Sequence, residues 1–290
     1  SIFGGEKTVI LYNSKDIRHR LQELSVEFSA PFEDVSLMKY LAEGTGNSDN
    51  LDFCLNYYSL PIQNRAYGIY ALYNIFGDTL DEEEKKLYRD IELPLSVVLF
   101  DMEKVGVWVD GNILNEFSLK YSTELKGLTE RIYQLAGEKF NINSPVQLGK
   151  ILFEKLKIGD GGTQKSKVKK NYSTTAEILE KYAEDYEIVR LLLRYRQIQK
   201  LNSTYVEGFK PLIAEGKVHT TYNQMNTATG RLSSANPNLQ NIPVRNEEGK
   251  ELRKIFVAGP GNVLVDADYS QIELRLLAHF SGCKEPPVPP

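Results

Sequence analysis

Long segments with helical spacing of apolar residues dominate the chain and limit what it can fold into. One long amphipathic pattern covers residues 112–136, and a longer helical pattern covers residues 186–212. Apolar residues that recur every three or four positions form one buried face of a helix. Short strand-like runs, such as residues 8–12 and 218–222, lie between the helical segments. The pattern therefore predicts an α+β fold.

The composition is that of an ordinary globular chain. Of the 290 residues, 41% are hydrophobic and 26% are charged, and the formal net charge is −4. This balance argues against a uniformly basic nucleic-acid binder, although a local basic stripe is enough for DNA binding. Two cysteines are too few for a disulfide framework, and no apolar run approaches the roughly 20 residues of a membrane span. We expect a cytoplasmic protein with no membrane partner.

A carboxylate near the end of the chain has the setting of a metal ligand. The apolar run at residues 262–267 predicts a strand that ends at Asp268, where a helical pattern begins. Mg²⁺ is commonly held by one or two carboxylates together with substrate phosphates. The alternative is that Asp268 caps the helix and that Glu273 is a first-turn acid that favours the helix dipole.

A polar segment at residues 227–243 combines Gly and Pro turns with side chains that donate hydrogen bonds, among them Arg231, Asn238, Gln240 and Asn241. Every base pair offers acceptors in the DNA minor groove, so such donors can check base-pair geometry without reading sequence. The alternative is a polar loop whose amides satisfy its own backbone.

Basic residues form two groups in the sequence. Arg196 and Lys200 are four residues apart, so a helix places them on one face. A second group of lysines falls in a loop-like segment at residues 165–170. Each group has a structural alternative, because a basic face or a charge run is usually solvated, and the glutamates at 177, 180 and 184 lie near the first pair in sequence.

Three strings of residues resemble those of family A DNA polymerases. The first is Asp-Tyr-Ser-Gln-Ile-Glu-Leu-Arg at 268–275, which resembles motif A of that family. The second is the block from Thr-Gly-Arg-Leu-Ser-Ser to Pro-Asn-Leu-Gln-Asn-Ile-Pro at 229–243, and the third is Phe-Asn-Ile-Asn-Ser-Pro-Val-Gln-Leu-Gly at 140–149. The resemblance implies template-directed nucleotidyl transfer in DNA replication and repair. Its partners would be primer–template DNA and a deoxynucleoside triphosphate.

The resemblance also implies roles for individual residues. Asp268, as the catalytic carboxylate, and the carbonyl of Tyr269 would bind Mg²⁺ in a site that holds two metal ions in the complete enzyme. Glu273 would select deoxyribonucleotides, and the nucleotide pocket would be formed by Tyr269, Ser270, Gln271, Ile272 and Glu273. The implied DNA contacts are Lys165, Lys167, Lys169, Lys170, Arg196, Lys200, Asn202, Ser203, Thr204, Arg231, Asn238, Gln240 and Asn241.

The same resemblance divides the chain into domains. Residues 1–80 would be a degenerate, RNase H-like 3′–5′ exonuclease domain of α/β type. Residues 81–290 would be a polymerase fragment with a helical thumb at about 111–213, a partial palm sheet at 214–282 and no fingers. The first domain lacks the family's opening Asp-x-Glu motif, keeps a trace of the second motif at residues 13–16, and has Tyr70 where an acid is expected. We therefore expect an inactive scaffold there.

The end of the chain departs from the family pattern. The fingers helix and the second metal-binding motif of the family lie downstream of motif A, and the residues after Gly282 are proline-rich instead. We expect a truncated chain that binds DNA, holds an incomplete metal site and does not polymerise DNA alone. Two alternatives stay open: a residual nuclease in residues 1–80, and a non-catalytic DNA-binding or structural protein derived from a polymerase.

Overall fold

The structure, a computed structural model, describes residues 2–45, 50–159, 172–244 and 247–282. The predicted DNA contacts at Lys165, Lys167, Lys169 and Lys170 lie outside the described residues, as do Cys283 and the proline-rich tail. The chain divides into two compact units after Phe256. The predicted domain boundary near residue 80 falls inside the first unit and stays a prediction.

Helices and short strands together make up the regular structure, so the predicted mixture of helix and sheet is confirmed. The α-helices of the described residues are α1 (Ser14–Glu23), α2 (Val35–Glu43), α3 (Leu51–Tyr57), α4 (Arg65–Thr79), α5 (Glu82–Leu87), α6 (Leu93–Val105), α7 (Gly111–Ala136), α8 (Pro145–Gly149), α9 (Ala176–Glu180), α10 (Glu187–Leu201), α11 (Glu247–Leu252) and α12 (Ile272–Ser281). The strands are β1 (Val9–Leu11), β2 (Phe32–Asp34), β3 (Val107–Trp108), β4 (Ile213–Ala214), β5 (Lys217–Val218), β6 (Thr221–Asn223) and β7 (Ser233–Ala235).

The first part of the chain is a small α/β arrangement. β1 and β2 are parallel, with Val9 opposite Phe32, and α1 connects them. A parallel pair requires such a crossover because its two strands run in the same direction. Residues of α2, α3 and α4 pack around a buried cluster that includes Cys54, Leu72 and Phe76. Cys54 is therefore a core residue.

Local capping signals place two helix starts. Asp81 accepts hydrogen bonds from the backbone N–H groups of the first turn of α5, and the Glu84 carboxylate accepts from the Asp81 N–H at 2.9 Å. This reciprocal pair is a capping box. Ser144 caps α8, because its hydroxyl accepts from the backbone N–H of Gln147.

α7 and α10 pack against each other and organise the middle of the chain. Tyr121 on α7 and Ile198 on α10 belong to one buried cluster with Phe209 and Val218. Farther along the same two helices, Ile132 and Leu192 belong to a second cluster, which includes residues of α8 and α9. Burying apolar area on both sides of this helix pair is the main favourable contribution to the folding of this region.

The predicted helix over residues 186–212 is wrong in its second half. α10 ends at Leu201 and continues as a π-helix over Asn202–Val206, and a short 3₁₀-helix covers Lys210–Leu212. Pro211 cannot donate a backbone hydrogen bond, so a regular helix does not continue through it. A Cβ atom at Gly208 would lie 2.4 Å from the carbonyl oxygen of Thr204, so this tight turn requires glycine.

The strand predicted at residues 262–267 is absent from the structure. β3, β5 and β4 form one antiparallel sheet in that order, and β6 pairs with β7 in another. Beyond Ala235 the described residues contain no strand, and Phe256 makes a single bridge to Val109. Val263 and Val265 in the run at 262–267 are 80% and 85% exposed. An apolar run becomes a strand only when a neighbour pairs with its backbone, and none of the described residues does so here.

No helix in the four described ranges is both long enough and apolar enough to cross a membrane.

Two buried tyrosines of one cluster, Tyr121 on α7 and Tyr205 in the π-helix, make a matched test of what a buried hydroxyl contributes to stability. The Tyr121 hydroxyl is buried without a hydrogen-bond partner among the described residues, and burial raises the pKa of Tyr121 to about 12. The Tyr205 hydroxyl instead donates to the carbonyl oxygen of Asn241. We expect Tyr121→Phe to leave the free energy of unfolding unchanged or to raise it by up to about 1 kcal/mol, and Tyr205→Phe to lower it by about 1 kcal/mol. Urea denaturation measures both, and equal losses in the two variants would contradict this assignment.

Candidate nucleic-acid interface

The polar segment at residues 227–243 is carried by the hairpin of β6 and β7. Tyr222 lies opposite Ser234 and Asn223 lies opposite Ser233, so β6 pairs antiparallel with β7, which lies inside the segment. Gly230 has a φ of 73°, a left-handed conformation that favours glycine. The segment, called the loop below, therefore contains the end of the hairpin turn, β7 and the residues that follow β7 up to residue 243.

Buried hydroxyl groups hold this loop from beneath. The Thr220 hydroxyl lies 2.7 Å from the Ser234 hydroxyl and 2.8 Å from the carbonyl oxygen of Pro237. The Ser234 hydroxyl also accepts from the backbone N–H of Leu239 at 3.0 Å. Because Thr220 and Ser234 are both buried, these bonds satisfy loop backbone groups that water does not reach.

The outward side chains of the loop include all the predicted contacts. Arg231, Asn238, Gln240 and Asn241 are exposed. The Asn238 side-chain oxygen accepts from the backbone N–H groups of Gln240 and Asn241 at 3.0 and 3.1 Å. The alternative of a self-satisfying polar loop thus holds for the oxygen of Asn238.

The predicted basic pair on α10 is divided between two environments. The Arg196 guanidinium donates to the carbonyl oxygen of Thr174 and, at 3.2 Å, to its hydroxyl. Burial lowers the pKa of Arg196. Lys200, one turn farther along the same face, is exposed. Arg196 is therefore bonded within the protein, to Thr174, whereas Lys200 lies on the surface.

Three predicted contacts lie in the π-helix that follows α10. Ser203 and Thr204 are exposed, and the Ser203 hydroxyl donates to the Gln199 carbonyl oxygen at 2.7 Å. The side-chain oxygen of Asn202 is buried and has no hydrogen-bond partner among the described residues. π-helical turns such as this one occur frequently at functional sites.

A network centred on Arg194 was not predicted. The Arg194 guanidinium donates to the Glu124 carboxylate of α7 at 2.6 Å and to the Glu248 carboxylate of α11, and Gln197 donates to Glu248 at 3.0 Å. Burial disfavours the charge of Arg194, but the hydrogen bonds to both carboxylates outweigh it and raise the pKa of the guanidinium. This network fastens α11, which follows the loop in sequence, to α7 and α10. No local pattern indicates it, because the partners are distant in sequence.

The predicted metal and nucleotide residues lie in the second unit. Asp268 and Tyr269 are exposed, and α12 begins only at Ile272 after a turn with Gln271 at its N-cap. The alternative role of Asp268 as the helix cap is therefore wrong, whereas Glu273 does lie in the first turn of α12. The Arg275 guanidinium donates to the carbonyl oxygen of Ser270 at 2.9 Å, which fixes the turn before the helix.

Comparison with known proteins agrees with the sequence motifs. Residues 111–285 match the profile of DNA polymerase family A. DNA polymerase I of Caldicellulosiruptor bescii is 41% identical over 292 residues, which cover 97% of this chain and 34% of that protein. DNA polymerase I of Lactococcus lactis subsp. lactis is 52% identical over 209 residues, which cover 72% of this chain and 23% of that protein. The chain thus spans about a third, or less, of the length of these curated relatives.

A solved structure has a similar fold. The POL domain of Pol1 from M. smegmatis, in complex with DNA primer–template and dNTP, superposes with a TM-score of 0.82 and 32% sequence identity. The match covers 94% of this chain and 49% of that chain.

The Arg194 network predicts a specific dependence of stability on pH. The hydrogen bond from Arg194 is the main cause that lowers the pKa of Glu248. A lowered carboxyl pKa in the folded state contributes stability that is present above the unfolded pKa and is lost as the pH falls through the folded pKa. We expect Glu248→Gln to lower the free energy of unfolding by about 1–2 kcal/mol at neutral pH. This difference should shrink below about pH 4, near the ordinary glutamate pKa.

The measurement is urea denaturation of both proteins across a pH series. A difference that persists undiminished at the acid end would show that Glu248 acts through packing and not through its charge.

Proposed function

Because the chain belongs to DNA polymerase family A, we propose that it binds primer–template DNA and contributes that binding to template-directed nucleotidyl transfer in replication and repair. The observation that carries the proposal is the loop at residues 227–243, whose backbone is held by buried hydroxyl groups while its donor side chains face outward. A fixed backbone with outward donors suits recognition of the acceptors that every base pair shows in the minor groove.

Contacts with DNA phosphates complete the proposed binding surface. Lys200 is exposed on α10 and the residues after it form the π-helix, so this stretch is assigned to the backbone of the duplex. The lysines at 165, 167, 169 and 170 keep their proposed role as phosphate contacts. Arg196 contributes to this surface indirectly, through its hydrogen bond to the carbonyl oxygen of Thr174. A local basic stripe of this kind is compatible with the net charge of −4, because phosphate binding depends on nearby cations.

The proposed domains follow the family resemblance. Residues of about 111–213 are assigned to the thumb, residues 214–282 to part of the palm, and residues 1–80 to a degenerate exonuclease domain. Tyr70, at the position of an expected acid, is exposed on α4 and cannot act as a carboxylate ligand. We propose a cytoplasmic location, because a chain that binds primer–template DNA must be in the compartment that holds this DNA.

Asp268 and the Tyr269 carbonyl are proposed ligands of Mg²⁺, but they supply only part of the ligand set that the ion needs. Mg²⁺ takes a near-octahedral set of oxygen ligands, usually with one or two carboxylates. Within the part of the chain that the structure describes, no three His, Cys, Asp or Glu side chains are grouped to hold a metal ion. These residues therefore fit part of a two-metal site, and no step of the transfer is assigned to them. Ser270, Gln271, Ile272 and Glu273 keep their proposed place beside a deoxynucleoside triphosphate.

DNA binding is tested by fluorescence anisotropy of the chain with a primer–template duplex across a salt series. We expect Lys200→Ala to reduce the slope of log affinity against log salt by about 1, because one phosphate contact is lost. Gln240→Ala should weaken binding by about tenfold with little change in slope, because it removes a groove contact worth about 1–3 kcal/mol. Lys86→Ala, an exposed lysine on α5, is the matched control and should change neither quantity. Absence of binding at low salt would reject the proposal and favour a structural protein.

A primer-extension assay separates binding from catalysis. We expect a chain of these 290 residues to extend no primer, because Asp268 and a carbonyl alone hold two metal ions poorly. Template-dependent incorporation that disappears in Asp268→Ala would overturn this expectation. Mg²⁺-dependent shortening of a single-stranded primer in the same lanes would favour the residual nuclease.

A further inference from the structure

The backbone of Tyr222 on β6 is held by two charged side chains from distant parts of the chain. The Glu103 carboxylate accepts from the Tyr222 N–H at 2.6 Å, and the Lys15 ammonium donates to the Tyr222 carbonyl oxygen at 2.5 Å. The same ammonium lies 2.5 Å from the same carboxylate oxygen. These three contacts form a closed ring, which we call the Tyr222 clamp.

The clamp takes the place of a neighbouring strand. In an antiparallel pair, the N–H and C=O of one residue point to the same side of its strand. Tyr222 lies opposite Ser234 of β7, yet its N–H and C=O are bonded to Glu103 and Lys15. These groups therefore point away from β7, along the outer edge of the hairpin. An ammonium donor and a carboxylate acceptor reproduce the pair of bonds that another strand would make there.

Both side chains of the clamp are removed from water. The side chains of Lys15 and Glu103 are 12% and 6% exposed. Burying two charges is costly unless each is paired and hydrogen-bonded, and the Tyr222 peptide supplies the additional hydrogen bonds. His19 gives a further contact, with its Nε2 atom 2.6 Å from the second carboxylate oxygen of Glu103.

Two further hydrogen bonds connect the first part of the chain to the residues between β6 and the start of the loop. The Gln224 amide donates to the carbonyl oxygen of Glu92 at 2.8 Å, and the Tyr40 hydroxyl donates to the carbonyl oxygen of Thr227 at 2.7 Å. Thr227 is the first residue of the loop. The outer side of the hairpin is thus held by α1, α2 and α6 together with the residue that precedes α6.

The geometry points to Lys15 and Glu103 as positioning residues for DNA binding. By fixing the peptide of Tyr222, they fix β6 and thereby the loop that carries Arg231, Asn238 and Gln240. This inference rests on the proposed function, since it assumes that the loop contacts DNA. It gives the first part of the chain a role that requires no nuclease chemistry: that part orients the loop.

The test follows two quantities in the full chain, at a temperature well below its unfolding transition. Amide hydrogen exchange of Tyr222, observed by NMR with isotope-labelled tyrosine, reports the clamp. Fluorescence anisotropy with a primer–template duplex reports DNA affinity. The variants are Glu103→Ala, Lys15→Met and the double variant. The matched control is Arg131→Met with Glu187→Ala, which removes an exposed ion pair between α7 and α10.

We expect Glu103→Ala to accelerate exchange of the Tyr222 amide by about tenfold or more, because the carboxylate that accepts from this amide is lost. DNA affinity should fall by about three- to tenfold, an effect typical of a displaced contact. Lys15→Met should have a smaller effect on exchange, since Glu103 still accepts from the amide. The double variant should bind DNA no more weakly than Glu103→Ala, because partners in one ring are not additive. The control should change neither quantity.

A Glu103→Ala chain that exchanges Tyr222 rapidly yet binds DNA with unchanged affinity would overturn the inference, as would unchanged exchange. If Glu103→Ala does not fold, Lys15→Met serves as the test of the positioning role. Lys15→Arg should then return Tyr222 amide exchange and DNA affinity to the values of the unsubstituted chain. If the unsubstituted chain does not bind DNA, the proposed function fails and the positioning role fails with it. Amide exchange would then show separately whether the clamp itself exists in solution.

Discussion

The hydroxyl of Thr220 is the contact on which the candidate interface depends. A loop that presents polar side chains to a ligand must first satisfy its own backbone, because an unpaired buried carbonyl or amide is costly. Thr220 and Ser234 do this from below, through Pro237 and Leu239. Asn238 adds a turn of its own with its side-chain oxygen. With the backbone satisfied in this way, Arg231, Gln240 and Asn241 are exposed on the surface of the loop.

Two sets of long-range contacts hold this loop from opposite ends. At its start, the Tyr222 clamp and Gln224 connect it to the first hundred or so residues of the chain. At its end, Arg194 fastens α11 to the pair formed by α7 and α10. Both sets combine charges with hydrogen bonds and are partly or fully buried, so they are screened less by salt than exposed ion pairs. The loop is consequently coupled both to the helices of the first part of the chain and to the pair formed by α7 and α10.

The sequence predicted the structural features that depend on residues close together in the chain. The spacing of apolar residues predicted a helix over residues 112–136, and α7 covers Gly111–Ala136. The strand at 262–267 and the full helix at 186–212 were not found, because a strand needs a neighbour and a helix must pass Gly208 and Pro211. The motifs identified the candidate site, yet neither the structural use of Arg196 nor the contacts of Arg194, Lys15 and Glu103 follow from sequence spacing. Those contacts join residues that are far apart along the chain.

The position of the Tyr222 clamp has a consequence for how molecules of this protein meet one another. A hairpin with an open outer edge exposes a row of unpaired donors and acceptors that can recruit a strand from a second molecule. Lys15 and Glu103 occupy those groups at Tyr222, and they also place buried charges along the line that an incoming strand would follow. The same ring of three contacts therefore acts as a barrier to intermolecular strand pairing at β6.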